Sequence, residues 1–236
     1  MCVQAWLQRA LWDVVPRDHR QSQKDLRRRQ LITAGFVLAG AVVLGFLLRL
    51  EPGSTAFYVT SLVVAAVWFV GAFASGPLHL GRIPIGTDLS GPTKRPITAP
   101  LALGAGLALF FVAGGLVVAQ IPWLSDQVAK VISYADAGSL PLLVAITAIN
   151  GIAEELFFRG ALYAAITKYP ILWSTLAYVI ATAATGNIML AFAAILLGLV
   201  VGLQRRASGG ILAPIITHCV WSISMLVALP YIFGTA

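Results

Sequence analysis

An all-α, polytopic transmembrane helical bundle of about seven or eight spans is the fold class this sequence predicts. Three observations carry that expectation. Of 236 residues, 59% are apolar and only 11% are charged, roughly half the charged share of a soluble domain. The mean hydropathy is +0.88. Uncharged apolar stretches recur at lengths near the ~20 residues that a helical crossing of a bilayer requires. A water-soluble globule of this size could not bury so much apolar side chain, and a disordered chain would not carry it. Both classes are excluded.

Residues 1–30 read as a basic cytoplasmic segment. No apolar stretch precedes its charges, so it does not resemble a secretory signal. Trp6, Leu7, Ala10, Leu11, Val14 and Val15 recur at helical spacing, which predicts a short interfacial helix ended by Pro16. Residues 31–236 form the transmembrane domain. Its apolar stretches fall at about 31–50, 56–75, 97–121, 139–166, 170–186, 188–203 and 211–233. The fifth and sixth are short and are expected to dip together as a tight hairpin. The longest polar connection spans about 76–96. Gly198 and Gly202 form a small-residue pair suited to close helix packing, as do Gly106, Gly114 and Gly115. Trp123, Tyr134, Tyr169, Trp173 and Tyr231 sit at predicted span ends and read as interface anchors.

The formal net charge is +7. Seven of the sixteen Lys and Arg lie in the first thirty residues, Arg17 and Arg27-Arg28-Arg29 among them. Such clustering fits membrane topology and anionic lipid, and no nucleic-acid partner is expected. An excess of inner-loop arginine and lysine orients the N-terminus toward the cytoplasm, making this an integral, multi-pass cell-membrane protein. The two cysteines, Cys2 and Cys219, are not expected to pair, and they are too few for a Cys-rich metal site.

Glutamate is the informative residue. Only three occur, and two are adjacent, Glu154 and Glu155, inside the fourth apolar stretch. A carboxylate at that depth costs a few kcal/mol on insertion scales, and two neighbours also repel. Arg159 lies four residues after Glu155, so the two share a helix face and can pair. Glu154 is rotated about 100° away and can face a polar cavity, as a general base would. His218 is the only histidine inside an apolar run. It enters about 10 Å deep and Glu154 about 18 Å deep at helical rise, close enough to meet if helices tilt. Ser222 is one turn beyond His218, although a membrane serine often bonds its own backbone. Intramembrane charges also serve ion-coupled transporters, but no paired halves with matching broken helices appear here.

Glu154-Glu155-Leu156-Phe157-Phe158-Arg159 resembles the EExxxR motif of the CAAX protease and bacteriocin-processing (CPBP, or Abi) intramembrane protease family. The stretch Gly198–Ser222, through Pro214-Ile215 to His218, is similar to that family's third motif. The resemblance covers about residues 140–225, within a protease-like core at about 139–233. It implies a CAAX-prenyl-protease-like fold and an endopeptidase acting on peptide or prenylated-protein substrates near the cytoplasmic face. By resemblance, Glu154 activates water, Glu155 and Arg159 support the site, and His218 binds the oxyanion. The family has been called a metalloprotease, and either zinc or a metal-free glutamate mechanism fits those roles. The family's second motif, FxxxH on the fifth span, has no histidine here. Thr182, Thr185 and Asn187 are the nearest polar residues. Ser222 stands where the third motif commonly has Asn. Ser222 and Asn187 are therefore the candidates for oxyanion or polar support, and a non-catalytic scaffold on the same fold is the alternative.

Overall fold

The computed structural model describes residues 3–16, 19–85 and 88–234, with the side chains of 135 and 136 left out. Cys2 and Arg17 lie outside the described residues. Helix α1, Val3–Leu11, is short and leaves Val3 and Leu7 exposed. The chain that follows is tied to the end of a distant helix: Val15 N–H donates to the Ala207 carbonyl at 3.3 Å, and the Arg206 guanidinium lies 5.9 Å from the Trp12 ring centre. Helix α2, Gln23–Leu47, begins before residue 31 because Ser22 caps it, its hydroxyl accepting from Asp25 N–H. The basic turn is thus a helical extension of the first span. Helix α3, Thr55–Ser75, is capped in the same way by Ser54.

The 76–96 connection contains two short antiparallel strands, β1 Ile83–Pro84 and β2 Thr93–Lys94. Helix α4, Thr98–Val118, follows. Next comes α5, Pro122–Asp136, which lies between the predicted third and fourth apolar stretches. Pro122 occupies its first turn, where a missing N–H costs nothing. Its Tyr134 hydroxyl donates to the Leu50 carbonyl at 2.7 Å and ties the helix to the end of the first span.

Helix α6, Leu140–Ala165, is followed by α7, Pro170–Ala183, α8, Ile188–Ser208, and α9, Leu212–Phe233. Among the described residues, six helices (α2, α3, α4, α6, α8 and α9) are long and apolar enough to cross a membrane. With the shorter apolar α7 they account for the seven apolar stretches that the sequence predicts. The 14 residues of α7 rise only about 21 Å, less than the ~30 Å hydrocarbon core. Only half of the expected short hairpin is therefore short. Helix α8 runs to Ser208 because Gln204, Arg205 and Ser208 are buried and bonded, not solvated as a loop.

The packing is inverted relative to a soluble protein. Leu38 and Leu109 are each 70% exposed, on faces that would meet lipid. The centre is aromatic. Trp68 of α3 sits 4.9 Å from both Phe157 and Phe158 of α6, and Phe158 lies 5.0 Å from Tyr178 of α7. Gly40 of α2 admits the Trp68 ring, because a Cβ there would overlap it. At one end of the bundle two loops are clasped backbone to backbone. Arg82 N–H donates to the Ser208 carbonyl at 2.8 Å, Ile211 N–H to His79 at 2.9 Å and Leu212 N–H to Leu80 at 3.1 Å. Gly81 holds φ +84°, and a Cβ on Gly210 would overlap the Leu80–Gly81 backbone. Only glycines permit that approach.

Candidate active site

Helix α6 changes its winding where its charges begin. Leu140–Glu154 is α-helical, and Glu155–Leu162 is a π-helix, a form that is rare and concentrated at functional sites. Within this wider coil, Arg159 Nη1 donates to Glu155 Oε1 at 3.2 Å. Both side chains are fully buried. The same Glu155 oxygen meets His218 Nδ1 of α9 at 2.8 Å. An ionised carboxylate only accepts, so this contact assigns the ring proton to Nδ1. On the other side of the ring, His218 Nε2 lies 3.9 Å from Glu154 Oε2. One imidazole is thus bracketed by both carboxylates of the Glu-Glu pair. Of the two, Glu155 is sealed and the Glu154 side chain keeps 18% exposure.

Neighbouring elements hold these groups in place. The imidazole packs beside Gly151 of α6, where a Cβ would make ordinary contact with His218 Cδ2 at 3.5 Å. One residue before His218, Thr217 donates to the Pro100 carbonyl of α4 at 3.0 Å and accepts from Gln204 of α8 at 2.8 Å. Helices α4 and α8 therefore fix the first turns of α9. Arg159 rests its guanidinium 4.6 Å from the Tyr178 ring centre, a cation–π contact. Its Nε and Nη2 have no hydrogen-bond partner among the described residues.

Glu154, Glu155, Arg159 and His218 are brought together. Two further candidates are not. Asn187 spends its side chain elsewhere: Oδ1 accepts from Met189 and Leu190 N–H to cap α8, and Nδ2 donates to the Gln127 carbonyl of α5 at 2.7 Å. It is a cap and a tie, not site support. Ser222 bonds back to the Cys219 carbonyl of its own helix at 3.4 Å. Thr185 likewise donates to the Thr182 carbonyl at 2.7 Å. The group the sequence reading missed is Tyr178, whose phenol interacts with the Glu154 carboxylate. Its one signal was a phenol placed inside an apolar stretch, four residues before Thr182, in the register of the absent FxxxH pattern.

Catalytic zinc takes three protein donors and a water. Among the described residues, no group of three His, Cys, Asp or Glu side chains could hold a metal ion. Glu155 Oε1 is already shared between Arg159 and His218. The donor set does not fit zinc.

Compared with curated proteins and with solved structures, the chain matches none. Residues 136–224 match the family model described as type II CAAX prenyl endopeptidase Rce1-like. Because Glu154, Glu155, Arg159, Tyr178 and His218 all fall inside that stretch, the site-bearing part of this membrane bundle is similar to the Rce1-like CAAX prenyl endopeptidases.

Proposed function

We propose that the chain is an intramembrane endopeptidase of the CAAX type, cleaving a peptide bond by a water that Glu154 activates. The observation that carries this reading is the bracketed imidazole: two carboxylates from one helix, only one of them accessible, on opposite nitrogens of His218. A separation of 3.9 Å between Glu154 Oε2 and His218 Nε2 suits one bridging water. Glu154 takes a proton from that water as its oxygen attacks the carbonyl carbon. Tyr178 O–H, and Nε2–H when the imidazole is protonated, donate to the developing oxyanion. The Glu154 proton then passes to the leaving amine as the C–N bond breaks. Glu155 and Arg159 do not touch the substrate. They fix the ring and its tautomer.

The basic N-terminal segment and the 76–96 connection support an orientation with these ends in the cytoplasm and α1 on the membrane surface. The substrate is then a peptide or prenylated-protein terminus presented at that face. The test is cleavage of a farnesylated peptide by the purified full chain. Glu154→Gln should lower the rate by about 10²–10⁴, the usual contribution of a general base. Unchanged cleavage removes Glu154 from this role. The missing second-motif histidine favours one other reading, a non-catalytic scaffold on the same fold. Full restoration of cellular function by the Glu154→Gln form would select it.

A further inference from the structure

A second polar feature lies away from the glutamate pair. The N-terminal segment, the start of α2, the chain just after α3 and the end of α8 enclose a cavity of about 570 Å³. That is within the range of ligand-sized cavities. Arg20, Arg28, Arg29 and Arg205 line it, with Asp25 the sole carboxylate among the described lining residues. Asp25 is itself held by the Ser22 hydroxyl at 2.6 Å.

Two of these arginines are fixed in place. Arg29 is 4% exposed and donates from Nη2 to the Pro77 carbonyl at 3.1 Å. Gly76 makes room for it, since a Cβ there would overlap Nη2. Arg205 is also 4% exposed and donates from Nε to the Arg159 carbonyl at 2.6 Å. At the rim, His19 and His79 stack with ring centres 3.8 Å apart. Burial, together with Arg205 and Arg29, holds the His79 imidazole below the ordinary histidine range. Among the described lining residues, four arginines thus stand against one carboxylate.

We propose that this cavity binds a phosphate group carried on a larger molecule, either a soluble phosphomonoester or the headgroup of an anionic phospholipid. Planar guanidinium forks match phosphate oxygens and favour a multiply charged anion. The volume exceeds what inorganic phosphate alone would fill. The cavity also sits where the charged chain meets the ends of apolar spans, a position suited to a lipid headgroup. No member of the bracketed imidazole cluster lines it, so the proposal stands apart from the protease reading.

His79 is the reporter. It stacks on His19, feels Arg205 and Arg29, and shares the cavity lining with Arg20, Arg28 and Asp25. The full chain in phosphatidylcholine nanodiscs is titrated by NMR at constant ionic strength, with His79→Gln assigning the resonance. Glycerol 3-phosphate should raise the His79 midpoint by about half a pH unit or more, because a bound anion cancels the local field. Replacing part of the phosphatidylcholine by phosphatidylglycerol, with no soluble phosphate, tests the lipid source. A shift in the first arm alone assigns a soluble phosphomonoester. A shift in the second assigns the headgroup. Arg28→Gln should reduce whichever shift is seen several-fold, and Arg20→Gln gives an independent check. No shift in either arm overturns the proposal. So does an equal shift with chloride, or a native response from both variants.

Discussion

Glu155 Oε1 serves two partners at once, Arg159 Nη1 and His218 Nδ1, while its other oxygen has none among the described residues. Removing Arg159 would leave a fully buried carboxylate with the imidazole alone. Arg159→Ala should therefore destabilise the fold by about 3–5 kcal/mol, the range for breaking a buried pair, as read by thermal unfolding in detergent. An unchanged midpoint would mean that Arg159 carries no such load. Tyr178→Phe keeps the ring under the Arg159 guanidinium and removes only the hydroxyl. Peptide cleavage should fall about 10²-fold, as for loss of one oxyanion donor, with unfolding nearly unchanged. A parallel loss of stability would instead make Tyr178 a packing residue. At this scale the sequence was legible where charge interrupts an apolar run, as at Glu154, Glu155, Arg159 and His218. Asn187 and Ser222 were misleading because an amide or hydroxyl looks the same in sequence whether it caps a helix or faces a cavity. Tyr178 was passed over because a phenol in a membrane protein reads first as an interface anchor.

Among the elements, the π-helical turn and the close approach of α7 to α8 define the walls of the cluster. A Cβ on Gly198 would lie 2.7 Å from Thr175 Cγ2 and 3.2 Å from Arg159 Nη2. Gly198→Ala should cost about 1–3 kcal/mol by overpacking and lower cleavage through a displaced Arg159. A variant as stable and active as the native chain would show that α7 yields freely there. The small-residue spacing in α8 was visible in the sequence, although its specific duty toward Arg159 was not. Helix α5 escaped because it is too short and too polar to register as a span. The extension of α8 escaped because Arg205 and Arg206 look like solvated loop residues until Arg205 is seen bonded to the Arg159 carbonyl.

For the molecule as a whole, the six membrane-length helices among the described residues follow directly from composition and apolar run length. The shortness of α7 relative to α8 does not. Stability should also depend on pH through His79. Its imidazole sits below the ordinary histidine range in the fold, so the unfolded chain binds more protons on acidification. The sign is then set: the contribution is complete above about pH 6.5, the free-imidazole value, and is lost as pH falls below it. Melting temperatures of the native chain should drop more steeply between pH 7.5 and 5.5 than those of His79→Gln. Equal slopes would show that neither burial nor the nearby arginines act on this ring.

The same connection carries a mechanical consequence. Residues 79–82 are zipped to residues 208–212 at the threshold of α9, and His218 lies less than two turns further along that helix. The imidazole's height is thereby set at the aqueous rim as much as by its neighbours in the bilayer. A tug on the polar connection between α3 and α4 would be transmitted axially, like a pull on a rod held by its tip, to the gap between His218 and Glu154.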